Sequence, residues 1–314
     1  MSSYRFFHID PDGVEYPLND GVNTWLEIGG MFGFGLMRLD VAAERMPYEH
    51  GVTVIGEPYM PAREMSIAIG IGDTSHAAWV ARDNALRDNC SPFRDPTQRC
   101  VLKVLRPDGN ERRIDAWLVE YSGDTGDMNG PMLGRRVLTY WAPDPTFYDP
   151  VAVTESFGVQ PGGGWSFSFT FPLTLTAADD SGGVTWPLEF PFSFDAANVT
   201  TRQAIIYAGT MPTFPVIRCY GPADHPRVES VTLDKLAQVV QEMESGDYID
   251  IDMSALSATF HDATDNSDTD VTNQITDTTQ FWSLRPGANT IRVTMMGAGN
   301  GGVLMTYTKR YLAV

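Results

Sequence analysis

The run richest in potential metal ligands is His261-Asp262-Ala263-Thr264-Asp265-Asn266-Ser267-Asp268-Thr269-Asp270. Oxygen ligands at alternating positions suit a hard cation such as calcium. The spacing departs from an EF-hand loop, because no Gly follows and no Glu holds the twelfth position. A solvated loop between strands is therefore the expectation. Asp250 and Asp252 in Tyr248-Ile249-Asp250-Ile251-Asp252 share one face of an alternating strand. Paired carboxylates can do acid–base work, but on such a strand this is the solvent face. The histidines His8, His50, His76, His225 and His261 show none of the HxH, HExxH or HxxxH spacings of a zinc hydrolase. Cys90, Cys100 and Cys219 are odd in number and lack a CxxC pair, so they read as reduced thiols in or near a core. Gly29-Gly30-Met31-Phe32-Gly33-Phe34-Gly35 holds an isolated GxG without a βαβ setting and reads as a flexible loop. Trp165, Trp186 and Trp282 are the rings that would serve a sugar-binding face if exposed; beside strand runs, core packing is the commoner fate. The sequence thus assigns no catalytic, cofactor-binding or metal-binding residue and implies no cofactor.

The elements that would position such groups follow from composition and pattern. The chain has 314 residues, 43% of them hydrophobic, enough for two ordinary domains with real cores. Its net charge of −18 argues against tight binding to nucleic-acid phosphates or an anionic membrane surface. It suits a soluble protein that resists random association, and equally a passage along which DNA slides without sticking. The sequence has no apolar run of the ~20 residues that a membrane span takes, and MSSYRFFHIDPDG lacks the look of a signal peptide. No membrane insertion is expected.

Short alternating runs separated by Gly, Pro, Asn and Asp dominate the chain. Between them, Asp73 to Asn89 runs without Gly or Pro, opens on the capping candidates Thr74 and Ser75, and carries Ala78, Trp79, Ala81, Ala85 and Leu86 at helical spacing. The spacing predicts a helix over about 74–89, with Trp79 and Leu86 packing on a sheet. Arg106-Pro107-Asp108-Gly109-Asn110 between two alternating runs predicts a β-hairpin. Ala142-Pro143-Asp144-Pro145 stops a strand, which places a domain boundary near residue 150. Gly162-Gly163-Gly164 follows it. Beyond lie Ser166–Phe171, Trp186–Phe194, Ala204–Tyr207, Pro215–Tyr220, Val228–Leu233, Tyr248–Met253, Thr290–Met295 and Val303–Thr308, strands spaced as in a two-sheet sandwich. Leu233–Ser245 is either a short helix or a strand pair. Phe281-Trp282-Ser283-Leu284-Arg285-Pro286-Gly287-Ala288-Asn289 reads as strand, turn, strand, with Asn289 supporting the turn through its side chain.

Several of these stretches resemble, in order, segments of the distal tail proteins of long-tailed bacteriophages. They are the helix, the hairpin and the Ala142-Pro143-Asp144-Pro145 stop; Gly209-Thr210-Met211-Pro212-Thr213-Phe214-Pro215-Val216-Ile217 followed by Gly221-Pro222; Gly246-Asp247-Tyr248-Ile249-Asp250-Ile251-Asp252; the turn from Phe281 to Asn289; and the closing Lys309-Arg310-Tyr311-Leu312. The resemblance covers residues 50 to 312. Residues 14 to 46 depart from it and are expected to form a loop or arm of this chain's own. The resemblance implies a mainly β protein of two β-sandwich-type domains. Residues 1–148 would be a ring-forming domain with one α-helix and a β-hairpin, and residues 149–314 a galectin-like sandwich. It implies a structural virion protein and not an enzyme: a homohexamer at the tail tip, assembled in the host cytoplasm. Such a hub joins the tail tube protein and the tape-measure protein above to a tail-associated hub protein below, and DNA only passes through its ring. The expected lumen is acidic or neutral. The alternative is a lectin-like module that holds host cell-wall carbohydrate.

Overall fold

The computed structural model describes residues 4–44, 53–56, 58–90, 98–124, 133–157, 199–296 and 302–314. The expected Gly162–Gly164 loop, the runs Ser166–Phe171 and Trp186–Phe194, and the rings of Trp165 and Trp186 lie outside the described residues. Strands dominate, as the alternating pattern predicts, and the chain divides into two compact units. The first takes residues 1–152 together with 208–213 and 308–314; the second takes 153–207 and 214–307.

The first unit contains β1 (Arg5–Ile9), β2 (Glu15–Pro17), β3 (Thr24–Phe32), β4 (Ala43–Glu44), β5 (Thr53–Val54), β6 (Arg63–Gly72), helix α1 (His76–Asn89), β7 (Cys100–Leu105), β8 (Glu111–Asp124), β9 (Leu133–Ala142) and β10 (Phe147–Tyr148). Its main sheet has nine strands, seven of them in the order β2-β1-β7-β8-β9-β6-β3, with β3 at one end. β8 holds the sheet together by serving two partners. Glu111–Ala116 pair with β7, and from Trp117 onward the strand pairs with β9, with a shift of register between Leu118 and Glu120. Alternation sends one face inward: Phe6, Leu102, Val104, Ile114 and Ala116 from one half meet Met65, Ile67, Ile69, Leu138 and Tyr140 from the other in one core. Each large apolar side chain removed from water contributes roughly 1.5–3 kcal/mol. The Pro107–Asn110 turn is tight, with Gly109 in the left-handed region (φ 85°), and β9 ends at Ala142, before the two prolines.

The second unit contains β11 (Val153–Phe157), β12 (Val199–Tyr207), β13 (Val216–Tyr220), β14 (Ala223–Ser230), β15 (Lys235–Gln238), β16 (Glu242–Met243), β17 (Tyr248–Asp252), β18 (Ser257–Asp262), β19 (Ser267–Asp270), β20 (Gly287–Met296) and β21 (Val303–Tyr307). A six-stranded sheet runs β11-β21-β13-β17-β18-β19 and a five-stranded sheet runs β12-β20-β14-β15, with β16 beside β14. Ile217, Ile249, Ile251 and Met305 of the first sheet share a core with Ile205, Val228, Ile291 and Val293 of the second, which is the sandwich expected. Leu233–Ser245 resolves as strands β15 and β16, not a helix. β15 pairs with β14 and turns Ala237 inward between half-buried Leu236 and Gln238, so tertiary pairing decides a stretch whose local propensity was indifferent.

Phe281–Arg285 corrects a second expectation, since it belongs to none of the strands. Trp282 and Leu284 still alternate inward and are almost fully buried, so the pattern reported burial rather than a ladder. Gly287 takes φ 96°, which favours glycine. Buried Asn289 clamps the bend: its Oδ1 accepts from Arg285 N at 3.0 Å, and its Nδ2 donates to Arg285 O at 2.7 Å and Gly287 O at 3.1 Å. Asn289→Ala leaves these groups without their partner inside the fold, so the second unit should lose about 1–3 kcal/mol, read as a lower denaturant midpoint.

Candidate assembly surface

The groups that the sequence offers for chemistry act as structural supports. Asp262, Asp265 and Asp270 accept the backbone N–H two residues ahead, from Thr264, Ser267 and Thr272, so the acidic run is the β18–β19 hairpin with side-chain-capped turns. His261 Nδ1 lies 2.7 Å from Asp268 Oδ1 and its ring stacks on Tyr248. Among the described residues no group of three or more His, Cys, Asp or Glu is placed to hold a metal ion. Asp250 receives Arg218 through Nε and Nη2, each at 2.7 Å, while Asp252 caps the turn at Ser254 and Ala255. Trp282 is 1% exposed and offers no ring to a sugar. The three thiols are buried and free. The Gly29–Gly35 stretch corrects the loop expectation: Gly29 and Gly30 lie inside β3, at its register irregularity against β6. Gly33, at φ 82°, sits so close to β6 that a Cβ would come within 2.0 Å of Glu64 O.

Helix α1 is placed by a buried ion pair. Ser75 caps it, accepting from Ala78 N. Trp79 and Leu86 face the sheet as expected, but Ala81 and Ala85 are exposed, and the inward stripe is completed by Asp83 and Cys90. Asp83 takes Arg136 Nε and Nη2 at 2.7 and 2.9 Å, with both side chains at most 5% exposed. Tyr121 Oη adds a bond at 3.3 Å and Arg87 one at 2.9 Å. An Ala stripe alone would not have fixed the helix's rotation; the bidentate pair does.

Arg63 was not singled out by any sequence pattern and is the most constrained polar residue of the unit. Its side chain is 1% exposed. Nε donates to Pro145 O at 2.7 Å, Nη1 to Gly33 O at 2.6 Å and Gly35 O at 3.0 Å, and Nη2 to Leu312 O at 2.6 Å. The guanidinium lies over the Phe147 ring. Burial pulls its pKa down to about 10, still far enough above neutrality for the group to be charged at pH 7. The last segment closes beside it: Arg310–Tyr311 pairs with β10, and Val314 N donates to Phe34 O.

The exposed surface is uneven. Of 21 exposed large hydrophobic residues among the described ones, ten lie between residues 25 and 59. Ile28 (107%), Leu36 (80%) and Phe32 (70%) lead them, with Leu39, Val41, Val54, Ile55 and Tyr59 following. β3 ends the sheet, so one of its edges has no neighbour in the main sheet. After it the chain forms an arm, a two-stranded ladder of Ala43↔Val54 and Glu44↔Thr53 extended by Asp40↔Tyr59. Residues 41–44 and 53–56 are exposed throughout. Two strands alone are marginal in water, and a contiguous apolar surface of more than a few hundred Å2 marks an interaction site. The arm starts only after Phe32 and runs on to Tyr59; within residues 14 to 46, Glu15–Pro17 and Thr24–Phe32 are strands of the main sheet, which corrects the expectation of a loop or arm there.

Residues 208–311 match the family model of the siphovirus-type tail component, C-terminal domain. The matched stretch is about a third of the chain. It contains the Gly209–Ile217, Gly246–Asp252 and Phe281–Asn289 segments and most of the closing one, so the resemblance read from the sequence stands. The fold is similar over 98% of this chain to the crystal structure of the SPP1 Dit (gp 19.1) protein, described as a paradigm of the hub adsorption apparatus in phages infecting Gram-positive hosts. That match has a TM-score of 0.66 at 13% identity and covers 99% of the other chain. A chain of the phage P2 baseplate, in its activated conformation with Ca, aligns over the full length of both chains at 10% identity with a TM-score of 0.49. A search of curated protein sequences finds no match.

Two predictions follow from the buried groups. Arg136→Met leaves the Asp83 carboxylate buried without its partner and should cost about 3–5 kcal/mol by denaturant unfolding; replacing Asp83 by Leu as well should recover most of that. Burial pushes Cys90, Cys100 and Cys219 from 9.0 up to about 12. A raised thiol pKa supports the fold fully below pH 9 and loses that support as pH rises toward 12, because the unfolded thiol ionises first. Urea midpoints should therefore fall between pH 8.5 and 10.5, with a smaller fall in the Cys219→Ala variant.

Proposed function

We propose that this chain is the hub of a phage tail tip, with its copies closing into a hexameric ring at the end of the tail tube. In this reading the first unit builds the ring through β3 and the arm, and the second forms a sandwich without catalytic duty. The tail tube and tape-measure proteins meet one side of the ring, a tail-associated hub protein meets the other, and DNA passes through a lumen that is acidic or neutral. The hub is assembled in the host cytoplasm and stays in the virion.

One observation carries the reading: a chain that matches the tail component model over residues 208–311 exposes, on its other unit, a sheet edge with no partner among the described residues, continuous with an apolar two-stranded arm. A standard interface takes roughly 800 Å2 from each partner, and an edge strand left open invites pairing with another chain. A copy of the same chain is the occupant that closes a ring with every edge satisfied. The similarity to the SPP1 hub protein supports the role. The net charge of −18 per copy supports a passage that does not hold DNA. The lectin-like alternative is weakened by the burial of Trp282.

Native mass spectrometry of the purified chain should give a six-fold mass. Ile28→Asp together with Phe32→Asp should reduce it to the single-chain mass with unchanged circular dichroism. A parent protein that stays monomeric at tens of micromolar would refute the reading.

A further inference from the structure

The tail of the first unit and the base of its apolar arm meet at the Arg63 side chain and at one backbone hydrogen bond, from Val314 N to Phe34 O. Residues 308–314 belong to the first unit although the whole second unit precedes them in the chain. They are held by several independent contacts. Arg310 O accepts from Thr210 N at 2.9 Å and Met211 N at 3.1 Å, and Lys309 O accepts from Asp149 N at 3.0 Å. Tyr311 Oη donates to Asp149 at 3.1 Å, while the Arg112 guanidinium covers the Tyr311 ring. Arg310 also pairs with Asp144. At Leu312 the tail's carbonyl takes Arg63 Nη2, and the same guanidinium holds Gly33 O and Gly35 O, the carbonyls from which the arm departs. Val314 N reaches Phe34 O at 3.3 Å, between those two carbonyls. Phe34 is in turn buried against Phe6 and Phe147.

The geometry points to a lock: docking of residues 309–314 fixes Arg63 and Phe34 and so sets the arm in the position from which it self-associates. A buried guanidinium must have its donors satisfied. Without Leu312 O, one of its nitrogens loses its acceptor, and Arg63 gains by turning toward water and releasing Gly33 and Gly35. The described residues of the arm form no core of their own, so its position depends on that anchor. Chain order gives the lock a use. Synthesis delivers residues 1–152 long before residue 308, so the arm becomes competent for association only after the second unit has been made. Unfinished chains carrying ten exposed apolar residues on β3 and the arm would otherwise assemble early. The inference rests on the self-association proposed above for its consequence, but the coupling from tail to arm is testable by itself.

Hydrogen exchange followed by mass spectrometry tests it on the full chain, on Tyr311→Ala, on Arg63→Met and on a chain ended after Thr308, each with native mass recorded. Exchange at residues 33–41 should rise at least tenfold in all three altered proteins, with β17 of the second unit unchanged and the assembled fraction reduced. Unaltered exchange at 33–41 in the shortened chain would overturn the lock. Protection lost throughout the first unit in the shortened chain, α1 and β9 included, would also overturn it, since the tail would then be a general requirement for folding. Tyr311→Ala guards that distinction by weakening tail docking while leaving every Arg63 partner in the chain. If the parent is monomeric but the arm still responds, the hexamer reading fails and the lock stands.

Discussion

A guanidinium withdrawn from water loses several kcal/mol of hydration unless fixed acceptors replace it. Arg63 meets this constraint with four backbone carbonyls, of Gly33, Gly35, Pro145 and Leu312. Carbonyl oxygens have fixed directions, so satisfying the fork fixes three remote stretches of chain against β6 at once. The turn at Gly33 follows from this packing, because no side chain fits between it and β6. The edge position of β3, the departure of the arm and the closure of the tail all depend on the same small volume.

The second unit solves a similar problem with a neutral group. Asn289 replaces the missing ladder partners of the Arg285–Gly287 bend with its own amide and is itself 1% exposed. Asp247 works alike, accepting from Glu244 N and Ala263 N. These buried polar side chains sit where the sandwich turns corners, so that backbone groups removed from water keep partners. Of the carboxylates that looked most like chemistry, Asp252, Asp262, Asp265 and Asp270 do the same at the surface, while Asp250 pairs with Arg218.

Much of the fold was legible in the sequence. The hairpin around Asp108-Gly109, the stop at Pro143, the helix with its Ser75 cap and most sandwich strands are products of local alternation and turn chemistry. Where local preference was weak, the pattern failed in identifiable ways. Leu233–Ser245 became strands because β14 was there to pair with. Phe281–Leu284 alternated for burial without forming a strand, Leu284 alone making a β-bridge. The Ala81 and Ala85 stripe lost to a face centred on Asp83, since a buried bidentate ion pair outweighs a few methyl groups. The candidate surface was visible only as a stretch that departed from the family pattern; its apolar residues show as a patch once β3 is known to be an end strand.

What the sequence by itself determined was the type of protein: mainly β, acidic, built of short strands, with family-like segments in order from residue 50 to 312. These follow from near-neighbour physics, which acts within a turn or a hairpin. Only the tertiary structure decided which polar residues go inside and what they join. Arg63, Asp83, Arg136 and Leu312 are unremarkable in the sequence, and the bond from Arg63 to Leu312 spans 249 positions while that from Arg136 to Asp83 spans 53. Burial makes each bond between them count, and burial is a property of the closed fold.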